Sequence, residues 1–218
     1  MNQSFENLRF LAAPGAADAL GRIRQAARET ALALPGNPAS QETGIRRVIA
    51  IAAREIGNGL TVDGRALAGA GRVIRLGKEA VGAGRLKLQL FPLQAGEMHP
   101  PHAHDDLLSC QVVLAGRVRM REYSLVRRVD ERSIEVAAEP VKILERGQGT
   151  FTLQYRNNIH WQEGLEPGTV LLNINWQGYL PPSEMSQDRG QSGRRHLDWE
   201  AAVPADTPGR LIVPELAA

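Results

Sequence analysis

Near Leu60 the hydrophobic pattern of the chain changes period. Upstream, apolar residues recur every three or four positions; downstream they recur at every second position, in short runs separated by turns rich in glycine. A period of about 3.6 buries one face of a helix, and a period of about 2 buries one face of a strand. The chain therefore divides into a helical beginning and an antiparallel β remainder.

In the stretch ADALGRIRQAARETALAL, Leu20, Ile23, Ala27, Ala31 and Leu34 share a face, Asp18 stands where an N-cap is needed, and Pro35-Gly36 ends the run. A second helix is expected over SQETGIRRVIAIAAREIGNG. Ser40 or Thr43 would cap it, Ile45, Val48, Ile49, Ala52 and Ile56 form its stripe, and Gly57 and Gly59 stop it. Beyond Leu60, RLKLQLF alternates Leu86, Leu88 and Leu90 with Arg85, Lys87 and Gln89. In RVRMREY, Arg117, Arg119 and Arg121 form an outer face with Val118 and Met120 turned inward. Further strands are expected at SCQVVLA, EPVKIL, GTFTLQY and TVLLNINW. That series implies an all-β core, a sandwich or small jelly-roll barrel, behind N-terminal helices. The organisation that follows is a helical segment over 1–60, a barrel over 61–180, and a polar, turn-rich tail over 181–218 that packs on the barrel or extends from it.

The 218 residues suffice for one substantial domain with an ordinary core. A single cysteine, Cys110, excludes an internal disulfide, and the opening stretch MNQSFENLRF lacks the basic and apolar regions of a secretory signal. The expected compartment is the reducing cytoplasm. No apolar run approaches the ~18 residues of a membrane span, so no membrane partner is expected. Twenty-six basic residues against 24 acidic ones give a net charge of +2, with the arginines spread along the chain. That is a solvated surface and not a nucleic-acid footprint.

The chemistry concentrates in HPPHAHDDLLSCQVVLAG, where His99, His102 and His104 fall within six residues. His102 and His104 are two apart, so on an extended strand they point to one side and can share an ion. His160, in YRNNIHWQEG, precedes another expected strand and supplies a third imidazole if the two strands face each other. Such a set leaves open positions for substrate, oxygen or water. His99, beyond Pro100-Pro101, reads as a rim residue, with a role as fourth ligand or acid–base group left open; His196, in GRRHLDW, reads as surface.

The order Gly96, five residues, His102-Ala-His104, then Gly116 resembles the first motif of the cupins. The second motif follows in register: Gly149, five residues, Tyr155 in place of the usual proline, Asn157 in place of the usual glycine, then His160. Asn157 is an apt replacement, because asparagine tolerates the left-handed turn. The resemblance covers about Leu86 to Tyr179 and implies a cupin jelly-roll barrel holding one metal through His102, His104 and His160. The alternative, a polar loop with an isolated strand histidine, leaves both spacings unexplained. Where the first motif normally carries a glutamate ligand this chain has Ser109.

Cupins with three histidines and no glutamate include the thiol dioxygenases, which use non-haem Fe(II). The stretches LFPLQAGEMHPPHAH, VVLAGRVRMREYSLV and PGTVLLNINWQGYLPP resemble the branch of cysteamine dioxygenases and plant cysteine oxidases. The resemblance implies oxidation of a small thiol or an N-terminal cysteine to a sulfinate, with O2 as co-substrate. Asn173 and Tyr179 stand where that branch has an aspartate and a tyrosine, and with Gln111 they are the expected polar orienting groups. Gln111 and Val113 share strand parity with Ser109 and are expected inside the barrel; Cys110 and Val112 are expected outside, which leaves no cysteine–tyrosine crosslink. Trp161, next to His160, is expected to turn away from the metal and pack on the N-terminal helices.

Three imidazoles also bind Zn, Mn, Ni or Cu, and such an ion suits isomerisation, lysis or oxidation of a carbon substrate. A non-catalytic cupin that binds a small ligand and uses its helices to pair with a partner, or with a second copy as a homodimer, is the remaining reading.

Overall fold

The computed structural model describes residues 7–11, 15–34, 38–67, 73–104, 107–154, 156–179 and 194–216, apart from the side chains of Pro38, Arg65, Pro100, His104, Arg194 and Arg195. Two helices come first, α1 (Ala16–Ala33) and α2 (Pro38–Gly57). Leu20, Ile23, Ala27, Ala31 and Leu34 are all buried, as are Ile45, Val48, Ala52 and Ile56. The caps differ from expectation. Gly15, at φ 77°, occupies the N-cap of α1 without a side-chain bond, and Asp18 lies in the first turn, where its charge still favours the helix N-terminus. The second helix starts at Pro38, so Ser40 and Thr43 lie inside it, and Thr43 Oγ1 donates back to Ala39 O at 2.9 Å. Proline suits that first position because the missing N–H would have no helical partner there. A one-turn helix, α3 (Gly64–Leu67), stands where β structure is expected to begin.

The strands follow as β1 (Ile74–Val81), β2 (Gly84–Leu93), β3 (Met98–His104), β4 (Leu107–Ala115), β5 (Arg117–Asp130), β6 (Ser133–Ala138), β7 (Lys142–Glu145), β8 (Gly149–Thr152), β9 (Ile159–Gly164), β10 (Thr169–Gln177), β11 (Arg194–His196), β12 (Val203–Pro204) and β13 (Arg210–Pro214). The first sheet runs β1-β2-β10-β4-β8, and the second contains β3-β9-β5, with both β6 and β7 paired to β5. Every pairing is antiparallel. The order β2-β10-β4-β8 facing β3-β9-β5-β7 is that of two interlocked Greek keys, a jelly roll. The fold is thus of the expected class, an all-β jelly-roll barrel with N-terminal helices.

Alternation sorts the residues of the first sheet between two environments. Leu86, Leu88, Leu90, Cys110, Val112, Leu114 and Trp176 face the helices and form one cluster with them. Trp176 is fully buried, and its Nε1–H donates to Ala27 O at 2.9 Å. On the inner face Phe91, Leu93, Val113 and Leu171 meet Val118, Met120 and Leu144 of the second sheet. This apolar plug fills one region of the barrel and leaves a polar region beside it.

The C-terminal segment is more than a covering. The strand β11 pairs with β3, β13 pairs with β6, and a bridge between Leu197 and Glu215 joins the two edges of the second sheet. Inside that closure lie Ala103, Leu125, Ile134, Val136, Ile159, Leu197 and Val213. His196 is exposed, as expected.

Candidate metal centre

The strands β3 and β9 bring the histidines together. His102 is the register partner of His160, and His99 is the partner of Gln162. Two residues of β3, Pro100 and Pro101, therefore oppose one of β9, Trp161, and the register shifts there. Proline offers no N–H to the ladder and belongs at such a bulge. The extra residue puts His99 and His102, three apart in sequence, on the same pocket wall. His99 is therefore a lining residue and not a rim residue.

The His102 and His160 rings have centroids 4.8 Å apart at 76°, and both residues are 3% exposed. Two imidazoles that share one ion through bonds of about 2.0–2.1 Å bring their centroids to about 4.5–5 Å. The pair therefore fits two neighbouring positions of one first-row ion, and imidazole is suitable donor chemistry for it. Thr152 Oγ1 lies 3.4 Å from His160 Nδ1. His99 continues the row, 4.9 Å from His102 and 5.0 Å from Phe91. Among the described residues no group of three His, Cys, Asp or Glu side chains is arranged to hold a metal. The backbone of His104 pairs with Arg194 in the ladder of β3 and β11, while its side chain lies outside the described residues.

The facing wall comes from β4 and β10, where Gln111 pairs with Asn173 and Ser109 with Asn175. Gln111, Asn173 and Asn175 line the pocket together with Leu107, Leu171 and Gln162. Strand parity places Gln111 and Val113 inside, as expected. Cys110 faces the helices, and burial pushes its thiol far above the ordinary range, so it is no nucleophile. The pocket leaves only about 30 Å3 for small occupants. Ser109 Oγ, Gln111 Oε1, Asn173 Oδ1 and Asn175 Oδ1 are buried without a hydrogen-bond partner among the described residues. Buried polar atoms normally have partners, and three of these four belong to residues that line the pocket, Gln111, Asn173 and Asn175.

A carboxylate does enter the barrel, from β5. Glu122, the register partner of His160, is 1% exposed; it accepts a hydrogen bond from Thr150 Oγ1 at 2.6 Å and is bound closely by Lys142. Its charge is matched by Lys142, and the described residues that line the pocket include no Asp, Glu, Lys or Arg. Period-2 alternation from Val118 and Met120 is the signal that could have placed it inside, and the same rule extends Asn173 to Asn175 and His160 to Gln162.

Two expectations need correction. Tyr179 does not line the pocket: it packs in the cluster beneath the helices, and its hydroxyl donates to Val81 O at 2.5 Å. Burial, with the Glu79 carboxylate nearby, raises its phenol above the ordinary value. The chain turns at Gly178, φ 81°, after β10 ends, so strand parity no longer governs where Tyr179 points. Trp161 does turn away from the pocket, but the helices cover the other sheet; its ring instead carries the Arg121 guanidinium at 4.8 Å.

No protein-family model matches the chain, and no curated protein sequence matches it. Similar solved structures include KdgF from Halomonas sp., at 16% identity over 49% of this chain and 81% of that one, with a TM-score of 0.34. A recombinant oxalate oxidase in complex with glycolate matches at 13% identity over 45% of this chain and 44% of that one, TM-score 0.31. A cupin superfamily protein from Desulfitobacterium hafniense DCB-2 matches at 13% identity over 47% of this chain and 74% of that one, TM-score 0.31. The chain spans less than half the length of the oxalate oxidase it matches. Likeness at such identity and TM-score assigns no role here, and the fold and the roles of residues rest on this chain's own geometry.

Proposed function

We propose that the chain is a metal-dependent oxygenase of the cupin type, holding Fe(II) through His102, His104 and His160 and oxidising a small thiol or an N-terminal cysteine to a sulfinate. The observation that carries this reading is the in-register His102–His160 pair, buried and spaced for a shared ion, on the wall of a small pocket with no Asp, Glu, Lys or Arg among its described lining residues. Bound there, Fe(II) supplies the redox chemistry that adds both atoms of O2 to the sulfur of RSH, giving RSO2H.

The chain's own residues bind and orient. Ser109, where the first motif normally has glutamate, adds no carboxylate to the ligand set, which would favour an anionic sulfur ligand over a neutral one beside a divalent ion. Gln111, Asn173 and Asn175 present amide oxygens to donors on the substrate, and Phe91 and Leu171 limit its size and exclude water. Thr152, beside Nδ1 of His160, favours presentation of Nε2 to the ion. No residue is assigned as a base; the sulfur would ligate the ion in its thiolate form, which an adjacent divalent cation favours.

Oxygen uptake by the iron-loaded protein tests this with cysteamine, cysteine, 3-mercaptopropionate and a peptide with an N-terminal cysteine. Thiol-dependent uptake with sulfinate as product is expected from at least one. Iron bound without thiol-dependent uptake from any of them contradicts the thiol chemistry while leaving the metal centre standing.

A further inference from the structure

A second cavity, of about 400 Å3, lies between α2 and the sheet-edge strand β8. Its size is within the range of small-molecule sites, about 300–1,000 Å3. Arg46 enters from α2, Lys142 from β7 and Arg156 from the connection between β8 and β9, while Ile49 and Ala50 give it an apolar wall. The charges do not cancel. Glu42 answers both guanidiniums, accepting from Arg46 Nε at 2.8 Å and from Arg156 Nη1 at 2.9 Å, and Lys142 is bound to Glu122. Three cations against two carboxylates leave one positive charge in excess. Both guanidiniums also lie over the Phe151 ring, with Cζ 4.7 Å and 5.6 Å from its centroid. A guanidinium stacked in this way keeps N–H donors at its edge, the geometry that holds a planar or tetrahedral oxyanion.

We propose that this cleft binds an organic oxyanion, a phosphate or carboxylate on a small apolar body. Arg46 and Arg156 hold the oxyanion, and Ile49 and Ala50 meet the apolar portion. Glu42 is the internal competitor that the ligand displaces. The site is distinct from the histidine pocket and does not depend on a metal there.

Calorimetric titration of the full chain with phenyl phosphate, at ionic strength held constant with sodium chloride, tests the proposal. Saturable one-site binding is expected. It should weaken about tenfold in Arg46→Gln and in Arg156→Gln, where one charge-assisted contact is lost. It should tighten by about threefold or more in Glu42→Gln, which frees both guanidiniums. Arg117→Gln, at an ion pair with Glu166 outside the cleft, should leave it unchanged. The three arginines are exposed, and thermal melting checks that each variant folds. No saturable heat with the wild-type chain, or wild-type affinity in the R46Q/R156Q double variant, would overturn the proposal.

Discussion

Gln111 and Tyr179 show how a side chain's place decides what its loss does. Gln111 lines the pocket with its amide oxygen unpartnered among the described residues, so replacing it removes no bond to that oxygen. Gln111→Leu should leave stability within about 0.5 kcal/mol, because an orphan buried polar group is exchanged for an apolar one. It should raise KM for the substrate about tenfold, and a loss of stability without a change in KM would show a structural role instead. Tyr179→Phe should do the opposite. It leaves Val81 O without its donor, costing about 1–2 kcal/mol in denaturant unfolding, while kcat stays at the wild-type value. Asn157 was legible in advance for a physical reason: it sits at φ 54°, a conformation asparagine tolerates.

At the level of elements, legibility followed periodicity. Both amphipathic helices could be read from their stripes, and β2, β4, β5, β7, β8 and β10 from alternation or short apolar runs. Helix starts were not legible, because Ser40 and Asp18 have the right chemistry for a cap but the helices start earlier, after Gly15 and at Pro38. The strands β11 and β12 carry too few apolar residues to show a period, and in β13 only Leu211, Ile212 and Val213 interrupt a polar stretch; pairing of β11 with β3, of β13 with β6 and of β12 with β13 makes them strands. The Pro100-Pro101 bulge inverts the parity that sequence counting assigns to His99. Spacing still marked the second motif. A Cβ at Gly149 would stand 2.6 Å from Gln111 O, so any larger residue would push the edge strand from β4.

Across the whole molecule, buried carboxylates tie neighbouring elements together. Glu55 of α2 receives Arg22 of α1, and Glu135 of β6 receives Arg127 of β5 and Arg210 of β13. The bonds from Arg22 and Arg210 are the leading causes that hold these carboxyls below the ordinary range. A lowered pKa in the folded chain means that the unfolded chain binds more protons, so this stabilisation is complete above the ordinary carboxylate range and is lost as pH falls through and below it. Tm should therefore fall on acidification below about pH 5. In Glu55→Gln and Glu135→Gln the slope should flatten, and an unchanged slope in both would reject these two groups as its source. The same architecture packs apolar residues into one region of the barrel and sets a pair of facing histidines beside them. That centre is tested most directly by metal stoichiometry after anaerobic loading with Fe(II), in the wild-type chain and in His102→Ala, His104→Ala and His160→Ala. The account predicts about one ion per chain in the wild type and at least about tenfold weaker retention in each variant. Wild-type metal content in His160→Ala would contradict it.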